Sequence, residues 1–113
     1  EYSDYKADQA TIAQLQTITE PTAITIIIGT WCPDCHRETP RFIRIMEQVN
    51  NPNITLQFIG VDRAKEDPQG LAKNYEFSRI PTIIVEQDNS EIGRIVEKPE
   101  VSLEKDLAKI LKR

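Results

Sequence analysis

The sequence predicts an α/β fold: a four-stranded mixed sheet with helices on both faces, in the order α-β-α-β-α-β-β-α. Three observations predict it. Short β-branched runs alternate with segments of helical period, as in parallel strands joined by crossover helices. The last two strand-like runs are separated by only four turn-forming residues, 87–90, so they form an antiparallel hairpin. The chain has 113 residues, which suits a single domain with one core.

The first half of the chain is predicted to contain two helices and two strands. Residues 7–18 carry an apolar stripe at helical spacing, and the β-branched run 23–28 has the character of a strand covered on both faces. Helical spacing returns over 33–49, where Pro40 should bend the helix because proline lacks an N–H group. After an asparagine-rich loop, residues 54–61 form the second strand.

The second half is predicted to hold a short helix at 69–77, the hairpin strands 82–86 and 91–97, and a last helix capped by Ser102. We treat residues 1–113 as one domain, with 1–6 as a flexible lead-in. Four aromatic residues are assigned to the core: Phe42, Phe58, Tyr75 and Phe77.

Composition excludes several classes of protein. A hydrophobic share of 39% and a charged share of 28% are those of an ordinary globular domain. No apolar run is long enough to cross a membrane, and no signal-peptide pattern opens the chain. The net charge of -4 argues against nucleic-acid binding. Two cysteines are too few for a domain that depends on disulfides for its stability.

The two cysteines, Cys32 and Cys35, lie where a predicted strand ends and a predicted helix begins. At the N-cap, unpaired N–H groups and the helix dipole stabilise a thiolate on Cys32. Pro33 suits the first helical position, since its missing N–H costs nothing there. Cys35 lies one turn further on, close enough for a disulfide. We therefore predict that Cys32 attacks a substrate disulfide and that Cys35 resolves the mixed disulfide.

Three features of the chain resemble the thioredoxin family: Trp-Cys-Pro-Asp-Cys at 31–35, Pro40 inside the following helix, and Ile-Pro-Thr at 80–82 before a strand. The resemblance covers residues 7–113 and implies a thioredoxin-like fold with thiol-disulfide oxidoreductase activity. It further implies that Pro81 follows a cis peptide bond and packs beside the dithiol.

The same resemblance implies a substrate-binding surface formed by Trp31, Ile80 and Pro81. In the family, the residue that matches Ile80 offers its backbone to an extended substrate chain. Trp31 is a large flat residue beside the nucleophile, and we expect it to shape the surface that faces the substrate.

The chain also departs from the family. Thioredoxins carry a buried Asp six residues before the first cysteine; here the position is Ile26, which cannot transfer a proton, and Phe58 replaces the accompanying lysine. Glu38, three residues after Cys35, is similar to the glutamate of TlpA/ResA-type extracytoplasmic reductases. It is either a proton-transfer group or a solvated carboxylate. This spacing and the absence of an initiator Met favour an extracytoplasmic location, with the cytoplasm as the alternative.

Three further residues are expected to tune the cysteines: Pro33, Asp34 and His36. A cationic His36 would favour a nearby thiolate, whereas Asp34 opposes it. Because Asp34 limits thiolate stabilisation, a reductase is favoured over an oxidase.

Two other functions fit parts of the sequence. A non-catalytic binding module could use the surface of Trp31 and Pro81 to hold a partner. The run Cys32-x-x-Cys35-His36 also satisfies the c-type haem attachment pattern, although the single methionine, Met46, lies in an apolar stripe. Zinc would require a second ligand pair, and the chain has no other cysteine or histidine.

The sequence therefore predicts no metal and no cofactor apart from the redox-active Cys32–Cys35 disulfide. The predicted partners are protein thiols or disulfides and an upstream electron donor, with no nucleic acid and no membrane segment. We expect the chain to be a monomer.

Overall fold

The computed structural model describes residues 7–29, 33–62, 67, 70–75, 77 and 79–112. Its elements in chain order are α1 (Gln9–Gln16), β1 (Thr22–Ile28), α2 (Pro33–Val49), β2 (Ile54–Gly60), a 3-10 helix (Ala72–Tyr75), β3 (Thr82–Gln87), β4 (Ser90–Val96) and α3 (Leu103–Lys112). The predicted lead-in, residues 1–6, lies outside the described residues.

The four strands form one mixed sheet in the order β2-β1-β3-β4. β1 is parallel to β2 and antiparallel to β3, and β3 is antiparallel to β4. In this register Ile27 lies opposite Thr82. The carboxyl end of β1 and the start of β3 therefore meet at the same end of the sheet. The hairpin is confirmed, since β3 and β4 pair antiparallel. Its turn residues Asp88 and Asn89 have φ of 57° and 63°, the positive values found in two-residue hairpin turns.

The two faces of the sheet are covered differently. All three α-helices pack on one face around a main core that includes Ile12, Ile26, Phe42 and Leu107. On the other face, a second cluster packs against the 3-10 helix and comprises Ile27, Ile59, Val61, Ala72 and Ile84. The predicted α/β architecture is confirmed, and among the described residues one short 3-10 helix covers the second face.

The helix predicted at 69–77 is shorter than expected. Where the structure describes this stretch, a 3-10 helix spans only Ala72–Tyr75. Gly70 precedes it with φ of 70°, a left-handed conformation that interrupts a regular helix. The Asp67 carboxylate accepts hydrogen bonds from the N–H groups of Leu71 (2.9 Å) and Ala72 (2.8 Å), so a side chain satisfies these amides.

The predicted polar start of α3 is present, and the structure shows a second polar cap at the start of α1. Ser102 Oγ accepts the Lys105 N–H at 3.2 Å, which confirms Ser102 as the cap of α3. The Asp8 carboxylate accepts the backbone N–H and the hydroxyl of Thr11, at 3.0 and 2.6 Å, at the start of α1. Within the residues described, no helix combines the length and the apolar character needed to cross a bilayer.

The assignment of Phe58 to the core is wrong. Phe42 is fully buried, and Tyr75 and Phe77 are half-buried against the second cluster. Phe58, however, is 44% exposed because β2 is an edge strand and its outer side has no neighbouring element among the described residues. Its ring still contacts Phe42 edge-on, with centroids 6.4 Å apart.

Candidate active site at the start of α2

The predicted site residues fall into two groups. The structure describes Cys35, Glu38, Ile80 and Pro81 with their surroundings. Trp31 and Cys32 lie outside the described residues, as do the side chains of Pro33, Asp34 and His36. α2 begins at Pro33, the position predicted for its first residue.

Cys35 is buried in the first turns of α2, with 4% of its surface exposed. The backbone N–H of Gly29, the residue that follows β1, donates a hydrogen bond to its Sγ at 3.5 Å. A donor directed at sulfur stabilises the sulfur when it carries negative charge. This hydrogen bond therefore connects the residue after β1 to the first turns of α2 through the Cys35 sulfur.

Glu38 is also buried, with 4% exposure, one helical turn beyond Cys35. The alternative of a solvated surface carboxylate is therefore wrong. One carboxylate oxygen lies 3.9 Å from a guanidinium nitrogen of Arg41, whose side chain is 39% exposed. Residues at i and i+3 are neighbours on a helix surface, so Glu38 lies on the same side of α2 as Cys35. Burial of an ionised carboxylate is costly unless the carboxylate is paired, and the Arg41 guanidinium is a charged group near this one.

Ile26 contributes no ionisable group to this region. It is 1% exposed and packs in the main core beneath α2. Glu38 is consequently the buried carboxylate nearest in sequence to Cys35 among the residues described.

The segment that leads into β3 lies at the same end of the sheet. The Ile80–Pro81 peptide bond is cis, as the resemblance implies. Pro81 is buried and Ile80 is half-buried. The Pro81 carbonyl accepts the Glu97 N–H at 2.7 Å, and the Thr82 hydroxyl donates to the Arg79 carbonyl. Because Thr82 lies opposite Ile27, this segment and Gly29 are brought together by β1–β3 pairing.

Three residues near the site were not identified from the sequence: the Arg79–Glu97 ion pair and Gly29. The exposed Arg79 guanidinium lies 3.0 Å from a carboxylate oxygen of Glu97, just after β4. The two residues are 18 positions apart in the sequence and are brought together by strand pairing, so no local sequence pattern marks them. The third is Gly29, whose role is that of a backbone donor. Across the described part of the chain, no group of three or more His, Cys, Asp or Glu residues is arranged to hold a metal ion.

The family model described as thioredoxin matches residues 2–109. A thioredoxin of Chlamydia pneumoniae is 32% identical over 66 residues, which are 58% of this chain and 59% of that protein. The putative thioredoxin-5 of Dictyostelium discoideum is 27% identical over 110 residues, 97% of this chain and 99% of that protein. A crystal structure of a Pseudomonas aeruginosa protein of unknown function superposes with a TM-score of 0.62 at 27% identity, covering 95% of this chain and 65% of the other. The matches thus span less than two thirds of the Chlamydia and Pseudomonas proteins. Since the family model covers nearly the whole chain and the sheet and α2 have the expected arrangement, this chain belongs to the thioredoxin family.

Proposed function

We propose that this protein is a thiol-disulfide oxidoreductase that reduces protein disulfides by dithiol exchange through Cys32 and Cys35. The observation that carries the proposal is the buried Cys35 at the start of α2, whose Sγ accepts the Gly29 N–H at 3.5 Å. A sulfur held away from solvent at a strand–helix junction suits an internal resolving thiol and is a poor target for an external disulfide.

The exchange proceeds in two steps. The Cys32 thiolate attacks one sulfur of the substrate disulfide, forms a mixed disulfide and releases the first substrate thiolate, which takes up a proton. Cys35 then loses its proton and attacks the Cys32 sulfur, and the second substrate thiolate leaves. The substrate gains two electrons and two protons, and the protein is left with a Cys32–Cys35 disulfide. An upstream dithiol reduces this disulfide for the next cycle.

Glu38 is the proposed acceptor of the Cys35 proton. It is buried one turn away on the same helix, and the alternative position, Ile26, carries no ionisable group. The Gly29 N–H supports the same step, since it stabilises the sulfur as the proton leaves.

Trp31, Ile80 and Pro81 are the proposed substrate-binding residues. Ile80 and Pro81 form the turn into β3 at the end of the sheet where α2 begins. We expect a substrate strand lying along them to pass close to the first turn of α2. Pro33, Asp34 and His36 keep the tuning roles expected from their positions around the cysteines.

Selective alkylation tests the division of roles between the cysteines. With limiting iodoacetamide at neutral pH, we expect reduced protein to be labelled on Cys32 first, because Cys35 is only 4% exposed. Peptide mapping that finds Cys35 modified first would reverse the assignment.

Insulin reduction with dithiothreitol tests the activity. We expect turnover by the wild-type protein, none by Cys32→Ser, and a trapped mixed disulfide with Cys35→Ser. Insulin that binds without being reduced would contradict the proposal and support a non-catalytic binding module.

A further inference from the structure

We propose that Glu97 is a positioning residue that, together with Arg79, holds the Arg79–Pro81 segment in place for substrate binding; the inference rests on the proposed function. Glu97 follows β4, and Arg79 precedes the turn into β3. Neither belongs to the dithiol motif.

Glu97 contacts this segment at two points. Its backbone N–H donates to the Pro81 carbonyl at 2.7 Å, and its carboxylate lies 3.0 Å from the Arg79 guanidinium. These two contacts therefore hold the segment on both sides of Ile80, the residue proposed to bind the substrate backbone. A third contact, from the Thr82 hydroxyl to the Arg79 carbonyl, closes the segment on itself.

The backbone at Glu97 is in a conformation that glutamate rarely adopts. Its φ is 66°, and the next residue, Lys98, donates its N–H to the Val96 carbonyl at 2.8 Å. A three-residue turn with a positive central φ is rare and strained for a residue with a Cβ atom. Glycine would take this conformation at little cost, so a glutamate here needs a compensating interaction. Among the described residues, the Glu97 side chain makes such an interaction in its ion pair with Arg79.

We call the contacts of Arg79 and Glu97 with the 79–81 segment the clamp. Exposure to solvent limits its strength. The Arg79 side chain is 67% exposed and that of Glu97 is 39% exposed, so water and salt screen the pair. Losing it should weaken substrate binding by about two- to five-fold, the range of a surface ion pair. The chemistry at sulfur should be unaffected, so the effect belongs in KM and not in kcat.

Substitutions at the pair provide the test. For insulin reduction, we expect Glu97→Gln and Arg79→Gln each to raise KM about two- to five-fold, with kcat nearly unchanged. The charge-reversed double variant Arg79→Glu/Glu97→Arg should recover most of the loss. Raising the salt concentration should bring the wild-type KM towards that of Glu97→Gln. A small aromatic disulfide, which makes no contact along the segment, should be reduced at the same rate by all variants.

Two variants separate positioning from stability. Glu97→Gly removes the strain of the positive φ, because glycine adopts it at little cost, and also removes the carboxylate. We therefore expect this variant to raise KM without lowering Tm. Glu91→Gln is the matched control, because the exposed Glu91 forms an ion pair of 2.6 Å with the half-buried Arg94 on β4. It should leave KM unchanged. Equal KM values for Glu97→Gln, Glu91→Gln and the wild type would overturn the proposal.

A measurement without turnover distinguishes failure of the clamp from failure of the proposed function. In amide NMR spectra of the reduced protein, Arg79→Gln should shift the Ile80 and Thr82 resonances and speed hydrogen exchange at the Glu97 N–H. Unchanged resonances and exchange would overturn the clamp even if insulin is reduced. If the wild type reduces no insulin, the reductase function fails, and these spectra alone decide whether the clamp exists.

Discussion

At the residue scale, the candidate site contains two buried groups on α2. Cys35 and Glu38 are each 4% exposed and lie three residues apart. The sulfur receives a hydrogen bond from Gly29, and the carboxylate lies near Arg41 at 3.9 Å. A buried acid one turn from a buried thiol is suited to take its proton when the thiol becomes a nucleophile.

Replacing Glu38 tests this role. We expect Glu38→Gln to slow disulfide reduction by about ten-fold or more, since a general base contributes about 10²–10⁴. Attack by Cys32, followed as alkylation rate, should change much less. Glu47→Gln is the control because Glu47 lies on the same helix and is exposed. Unaltered turnover by Glu38→Gln across pH 6–9 would assign the proton transfer to water.

At the element scale, contacts between neighbouring elements decide which small changes the fold tolerates. Gly93 on β4 lies against α3: a Cβ atom added there would be 2.8 Å from Ile110 Cγ2 and 2.9 Å from Cγ1. Both carbons lie next to the branch point of Ile110, so the side chain cannot easily move aside. Gly60 on β2, by contrast, has no atom of the described residues within 4 Å of such a Cβ.

These two glycines form a matched pair for stability measurements. We expect Gly93→Ala to lower the free energy of unfolding by about 1–3 kcal/mol, the usual cost of overpacking. Gly60→Ala should be neutral or slightly stabilising, because alanine restricts the unfolded chain. Urea denaturation of both variants checks the difference, and equal midpoints would show that β4 and α3 separate at little cost.

The cap of α1 makes stability depend on pH. Hydrogen bonds from the Thr11 side chain and backbone lower the pKa of Asp8 below its ordinary value of 3.8. A carboxyl whose pKa is lower in the folded state stabilises the fold above its unfolded pKa, and this contribution is lost as pH falls through the folded pKa. We expect Tm to fall below about pH 4, and to fall less steeply in Asp8→Asn, which keeps a capping side chain. Parallel Tm curves for the two proteins would contradict this role.

At the scale of the whole molecule, the two edges of the sheet differ. β4 carries Glu91 and Arg94 as an ion pair, and β3–β4 pairing is interrupted by a register shift at Val85/Glu86. Charges and irregular pairing discourage edge-to-edge association. β2 contains no charged residue, and its Leu56 and Phe58 are 42% and 44% exposed. The edge strand β2 contributes the buried Ile59, but Leu56 and Phe58 add less to stability than the fully buried residues of the inner strands.

A pair of truncations measures this difference. Ile26 is 1% exposed on the central strand β1, and we expect Ile26→Ala to cost about 2–5 kcal/mol, as for other buried aliphatic residues. Leu56→Ala on the edge strand should cost less than half as much, because the leucine already contacts water. Chemical denaturation of both variants is the measurement, and similar losses would show that β2 is covered in solution.

The local hydrophobic periodicity of the sequence, together with its turn-forming and capping residues, determined most of the helices and strands. The β-branched run of β1, the helical spacing of α2 from Pro33, the turn at Asp88 and Asn89 and the Ser102 cap are all properties of neighbouring residues. The same local reasoning placed Cys35 at the start of a helix.

Only the tertiary structure decided which faces are covered. Local spacing could not show that Phe58 lies on an edge strand or that all three α-helices share one face of the sheet. Nor could it show that Glu38 is buried or that Glu97 reaches Arg79. Burial and ion pairing at these positions depend on residues far apart in the sequence that strand pairing and helix packing bring together. Periodicity in the sequence reports only on residues within a few positions of one another.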